Sequence, residues 1–197
     1  MGEKTHPQAL SVAFLRGATV GALVLTIFGT YWEFMTLSYS AHPPTWAFVA
    51  TGLISLSLAS FCIQRLITVS KLSTSLSDPE GSRNGRRQGL WFGIIFIFES
   101  LFIAVTAILL ANADLPSMIP IAVAAIVGLH FLPLAKLFGV PLYYLTGLSL
   151  FGFACASLII PNEILRLDVL GTAVAIVLWT SAMIILIIYP PSSSLKG

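Results

Sequence analysis

Charge is what this chain lacks most, set against a soluble domain. Asp, Glu, Lys and Arg together make 9% of its 197 residues, against about 25% in an ordinary soluble domain. So few solvated groups, beside 57% hydrophobic residues and a mean hydropathy of +0.94, exclude a water-soluble globule, which could not cover that much apolar surface. A net charge of only +2 does not supply the basic face of a nucleic-acid binder, so no nucleic-acid partner is expected. Cysteine is scarcer still, with 2 residues, which excludes a disulfide scaffold. Cys62 and Cys155 are predicted toward opposite ends of different spans, well beyond the roughly 7 Å between Cα atoms that a bridge tolerates.

Signatures of chemistry are also missing. There is no H-E-x-x-H zinc helix, no G-x-S-x-G elbow and no Gly-rich loop to cradle phosphates. The 3 histidines and 2 cysteines show no metal-ligand spacing. One intramembrane histidine cannot hold a haem from both faces, and the last apolar span has no lysine for a Schiff base. No cofactor, no metal and no enzymatic activity are expected.

What the chain does have is long apolar runs. Spans of about 20 residues cross about 30 Å of hydrocarbon, and six fit: Gly17 to Leu37, Trp46 to Leu66, Leu90 to Leu110, Ser117 to Phe138, Val140 to Ile160 and Leu167 to Tyr189. The expected fold is all-α, a polytopic transmembrane helix bundle of six spans forming one domain over residues 1–197. A polar connection at about 68–88, rich in Ser, Gly, Asp and Pro, joins the second and third spans. Pro133, Lys136, Gly139 and Pro141 crowd the junction of the fourth and fifth, which leaves open one broken or re-entrant element in place of two spans.

Six spans put both termini and the even-numbered loops on one side. That side then holds Lys4, Arg16, Arg65, Lys71, Arg83, Arg86, Arg87, Lys136 and Lys196, leaving only Arg166 on the other. The positive-inside rule therefore makes both termini cytoplasmic in a multi-pass protein of the cell membrane. The apolar run before Ser38 and Ser40 is too long for the core of a cleaved signal peptide, so the first span is expected to stay. Arg83, Arg86 and Arg87 stand beside the third span, where they can meet anionic lipid headgroups or simply fix topology. Long side chains at this edge, Arg65 among them, are expected to snorkel.

Every span offers small residues that let helices approach closely. The pairs are Gly17 and Gly21, Ser55 and Ala59, Ala124 and Gly128, Gly152 and Ala156, Gly171 and Ala175. In the third span Gly93, Ser100, Ala104, Ala107 and Ala111 form a stripe at helical spacing. Such stripes predict a compact bundle and allow a homo-oligomer.

Against this background a few polar residues stand out. Glu99 interrupts the third apolar run about ten residues in, roughly 15 Å and hence near the midplane. Ionisable groups at such depth are costly and tend to be functional. Its own helical face carries Phe92, Ile95, Phe96, Phe102, Ile103 and Thr106, so it flanks the small-residue stripe. His130 falls at similar depth in the fourth span, which makes a Glu99 to His130 proton or ligand pathway geometrically open. The plainer alternatives are a structural hydrogen bond for each. Glu33, after Tyr31 and Trp32 and near His42, is a candidate outer entrance or else an acid in an aromatic belt.

The segment GLHFLPLAKLFGVPLYYLTG, Gly128 to Gly147, resembles segments of small bacterial multi-span membrane proteins of uncharacterised activity. It covers about a tenth of the chain and implies a multi-span fold without an activity. Two functions compete: a small transporter or permease-like protein built around Glu99, and a non-catalytic binding or assembly protein built on the small-residue faces. An intramembrane enzyme using Glu99 as acid or base lacks a second convergent group.

Overall fold

A computed structural model describes the backbone of residues 12–40, 43–75 and 79–190, with side chains in those ranges except Ala13 and residues 72–86. The described residues form six α-helices: α1 (Val12–Tyr39), α2 (Thr45–Ser75), α3 (Pro79–Asn112), α4 (Ile119–Phe138), α5 (Leu142–Ser157) and α6 (Glu163–Ile188), with a 3-10 turn at Pro116–Met118. The fold is an all-α bundle, and its apolar helices are those of a membrane protein. Five of them carry windows long and apolar enough to cross a bilayer.

The exception is α5, with 16 residues, about 24 Å at the α-helical rise of about 1.5 Å. Prolines bracket it. Pro141 is its N-cap, and Ile160 precedes Pro161, a position biased away from helix. The chain leaves α5 through tight turns, Leu158 N–H donating to the Cys155 carbonyl at 3.2 Å. The junction left open by the sequence is thus resolved into two helices. α4 runs unbroken through Pro133 and ends on Gly139, whose φ of 65° allows the left-handed cap that turns the chain into α5.

The polar connection expected at about 68–88 is mostly helical. α2 continues to Ser75 and α3 starts at Pro79; Leu76, Ser77 and Asp78 lie outside the described residues. A proline at the first helical position lacks an amide that would have had no partner there anyway, which suits it to this start.

α1 lies at the centre, packing mainly against α6 and α2 and touching α3 and α4. From α6 the contacts pass to α5, then α4, then α3. α2 and α3 are consecutive in the chain, yet they share no substantial contact among the described residues. α3 is therefore held chiefly by α4.

Close approaches are selective. Gly128 of α4 and Gly147 of α5 face each other: a Cβ at Gly128 would meet the Gly147 carbonyl oxygen and the Phe151 amide nitrogen, each at 2.8 Å. Gly171 of α6 seats Thr36 of α1, and Gly21 of α1 seats the Tyr143 hydroxyl of α5. Other expected packing positions are not used. Gly17, Gly93 and Gly152 have open space where a side chain would stand, and Ala156 is exposed. Among the described residues two hydroxyl pairs join helices: Thr30 with Ser55 between α1 and α2, and Thr146 with Ser181 between α5 and α6, each at 2.7 Å.

Candidate functional site

The α3–α4 interface is the place where polar chemistry meets at depth. These helices run antiparallel in steady register: Gln88 reaches the Leu137 carbonyl at 3.5 Å, Phe92 meets the Phe138 ring at 6.0 Å between centroids, and about two turns further in Glu99 meets His130. Glu99 Oε2 and His130 Nδ1 are 3.2 Å apart, and their side chains retain only 10% and 9% exposure. That separation lets one proton be shared, held either on the imidazole against a carboxylate or on the acid against a neutral imidazole. The sequence places both residues at one depth; the structure adds that they face one another.

The helical phase of α3 makes this possible. Its half-buried positions are Phe92, Gly93, Ile94, Ile95, Glu99, Ile103, Thr106, Ala107 and Leu110, the face on which Glu99 lies. The small-residue stripe points largely elsewhere: Ser100, Ala104 and Ala111 are exposed. The expectation that the stripe packs within the bundle is corrected. Aromatic and branched side chains fill the α4 groove better than alanines, and Glu99 finds its partner on the same face.

Glu33 is not brought to this pair. It is half-buried against α6, beside Thr172 and Asp168, with one carboxylate oxygen sequestered and without a hydrogen-bond partner. Nearby on α6, Asn162 caps the helix by accepting the Leu165 amide at 3.0 Å, and Ser117 Oγ donates to Glu163 Oε1 at 3.1 Å. Arg166, also near this end, is only 6% exposed and lies 3.7 Å from Glu163.

Arg65 departs most from expectation. It does not snorkel; it is 6% exposed and turns inward, donating from Nη1 to the Leu186 carbonyl oxygen of α6. α2 continues past Arg65 to Ser75, so Arg65 stands beside the neighbouring helix and not at the end of its own. Cys62 is a buried free thiol one turn away, and Cys155 is free and exposed. Of the three arginines before the third span only Arg87 has a described side chain; Arg83 and Arg86 lie outside the described side chains. Arg87 lines a cavity of about 350 Å³ with Gln88, Trp91 and Leu137. Among the described residues no group of three or more His, Cys, Asp or Glu is placed to hold a metal.

No family model, curated protein or solved structure matches the chain.

Proposed function

We propose that the chain is a small transporter or permease-like protein of the cell membrane in which the Glu99–His130 pair takes up and releases the coupling proton. The observation that supports this reading is the pair itself, two titratable groups from different helices 3.2 Å apart halfway along apolar segments. Placing such groups in hydrocarbon costs several kcal/mol by order of magnitude unless they are paired, and an apolar pair of similar volume would hold two helices without that cost. The end of the bundle carrying Lys71, Arg87 and Lys136, with Arg83 and Arg86, faces the cytoplasm in this reading, where basic residues meet anionic headgroups. Glu33 then belongs to the opposite entrance.

The test is current on solid-supported proteoliposomes challenged with a panel of amino acids, sugars and monovalent cations. At least one solute gives a pH-dependent current in the wild type, and Glu99→Gln abolishes it. Full current in that variant, or no current above empty liposomes for the whole panel, overturns the reading.

A second reading, assembly with another copy or a membrane partner, is favoured by the outward stripe of Ser100, Ala104 and Ala111, which is exposed among the described residues. Here Ala104→Leu disrupts association while Glu99→Gln leaves it intact; an oligomeric state indifferent to Ala104→Leu counts against it.

A further inference from the structure

The cavity between the ends of α3 and α4 is separate from the Glu99–His130 pair and lies about two turns nearer the basic end. It is bounded by Arg87, Gln88 and Trp91 of α3 and by Leu137 of α4, at the level where the polar first part of α3 gives way to its apolar window, Arg87–Asn112. Three of these described residues carry donors, a guanidinium, an indole N–H and a carboxamide whose nitrogen already reaches the Leu137 carbonyl at 3.5 Å. Lys136, the residue before Leu137, is exposed in the last turn of α4 and adds a second cation at this level. Among the described residues no carboxylate lines the cavity.

We propose that this cavity binds the headgroup of one anionic phospholipid. Chemistry, size and position each favour that occupant. A phosphodiester offers acceptors to a fork of guanidinium N–H donors in the geometry that arginine suits best. About 350 Å³ is at the small end of ligand pockets, room for a headgroup and not for a whole lipid. The acyl chains run on outside it, over Leu90, Ile97 and Leu101 of α3, all exposed. Tryptophan at such a boundary anchors an interface, its ring in the apolar layer and its N–H among headgroups. A free phosphate would use the same donors but would gain nothing from the apolar surface beside them. The site depends on the membrane reading of the chain and not on transport.

Native mass spectrometry of the detergent-solubilised protein, titrated separately with phosphatidylglycerol, phosphatidylcholine of the same chains and glycerol phosphate, tests the site. One phosphatidylglycerol binds, at least several-fold more tightly than phosphatidylcholine, and glycerol phosphate does not compete. Arg87→Gln weakens it about fivefold, whereas Arg16→Gln, an exposed basic residue of α1, does not. Leu137→Trp fills the cavity without altering charge and removes the bound lipid. Equal affinity for the two lipids, unchanged binding in Arg87→Gln, or retention in Leu137→Trp overturns the proposal. Competition by glycerol phosphate overturns the lipid as occupant and assigns the donors to a soluble phosphate.

Discussion

The guanidinium of Arg65 in α2 donates to the carbonyl oxygen of Leu186 in the last turn of α6. The last four carbonyls of a helix have no amide partner within it, and the partial negative charge gathered there favours a cation. α2 otherwise packs on α1 and has only slight contact with α6, so this side chain ties the outer helix across to α6. Arg65→Ala removes the tie and leaves a buried carbonyl without it. The expected loss is about 1.5–3 kcal/mol, the range for hydrogen bonds to charged groups. Arg65→Gln, which retains a donor, loses less. Thermal unfolding in detergent reads both, and equal midpoints for wild type and Arg65→Ala would show that the contact contributes nothing.

The glycines separate into two classes whose substitution has opposite signs. A methyl group at Gly128 meets backbone atoms of α5 at 2.8 Å, and neither the Gly147 carbonyl nor the Phe151 amide can move without shifting the helix. Gly128→Ala is expected to destabilise by about 1–3 kcal/mol, the usual cost of overpacking. Gly152 lies in a helix with nothing within 4 Å of an added Cβ, so Gly152→Ala stabilises by about 0.5–1 kcal/mol through the chain entropy that glycine forfeits. Unfolding midpoints of the two variants, measured side by side, should move apart.

Thr146 and Ser181 make a buried hydroxyl pair at 2.7 Å between α5 and α6, while Thr146 also bonds the Leu142 carbonyl at 3.1 Å within its own helix. Since Thr146 can rely on its own backbone, losing Ser181 leaves it satisfied. The coupling in a Thr146→Val, Ser181→Ala double-mutant cycle is therefore expected near the membrane-protein average of about 0.6 kcal/mol. A coupling above about 1.7 kcal/mol, the upper end seen for such bonds, would mean that the pair anchors α5 more than this geometry allows.

The helix count and the shared depth of Glu99 and His130 were legible in the sequence because hydropathy and the rise per residue are local quantities. What was not legible depended on neighbours. The α3 stripe of Ser100, Ala104 and Ala111 has the spacing of a packing face, yet α4 meets the adjacent phase, where Phe92 and Ile95 supply volume and Glu99 finds His130. The inward turn of Arg65 was hidden similarly: its position near the end of an apolar run fits snorkelling, and only the approach of the Leu186 carbonyl turns it inward. The length of α5 falls between, since Pro141 and Pro161 mark its limits in the sequence while the hydropathy of Leu158 to Ile160 argues for continuing it.

Because α3 leans chiefly on α4, the Glu99–His130 pair should contribute to holding α3 in place as well as to any proton exchange, and the two roles separate by mutation. Removing one member of a buried pair leaves the other polar group stranded, at about 3–5 kcal/mol, whereas replacing both by apolar residues of similar volume is often neutral or stabilising. Glu99→Leu and His130→Leu are each expected to lower the unfolding midpoint and to increase proteolysis along α3. The double variant should recover most of the lost stability. Glu99→Gln keeps a hydrogen-bonding group opposite the imidazole and should cost little, since it removes the exchangeable carboxyl proton and not the contact. A double variant as unstable as the sum of the two single ones would show that Glu99 and His130 act on stability independently, despite the 3.2 Å between them.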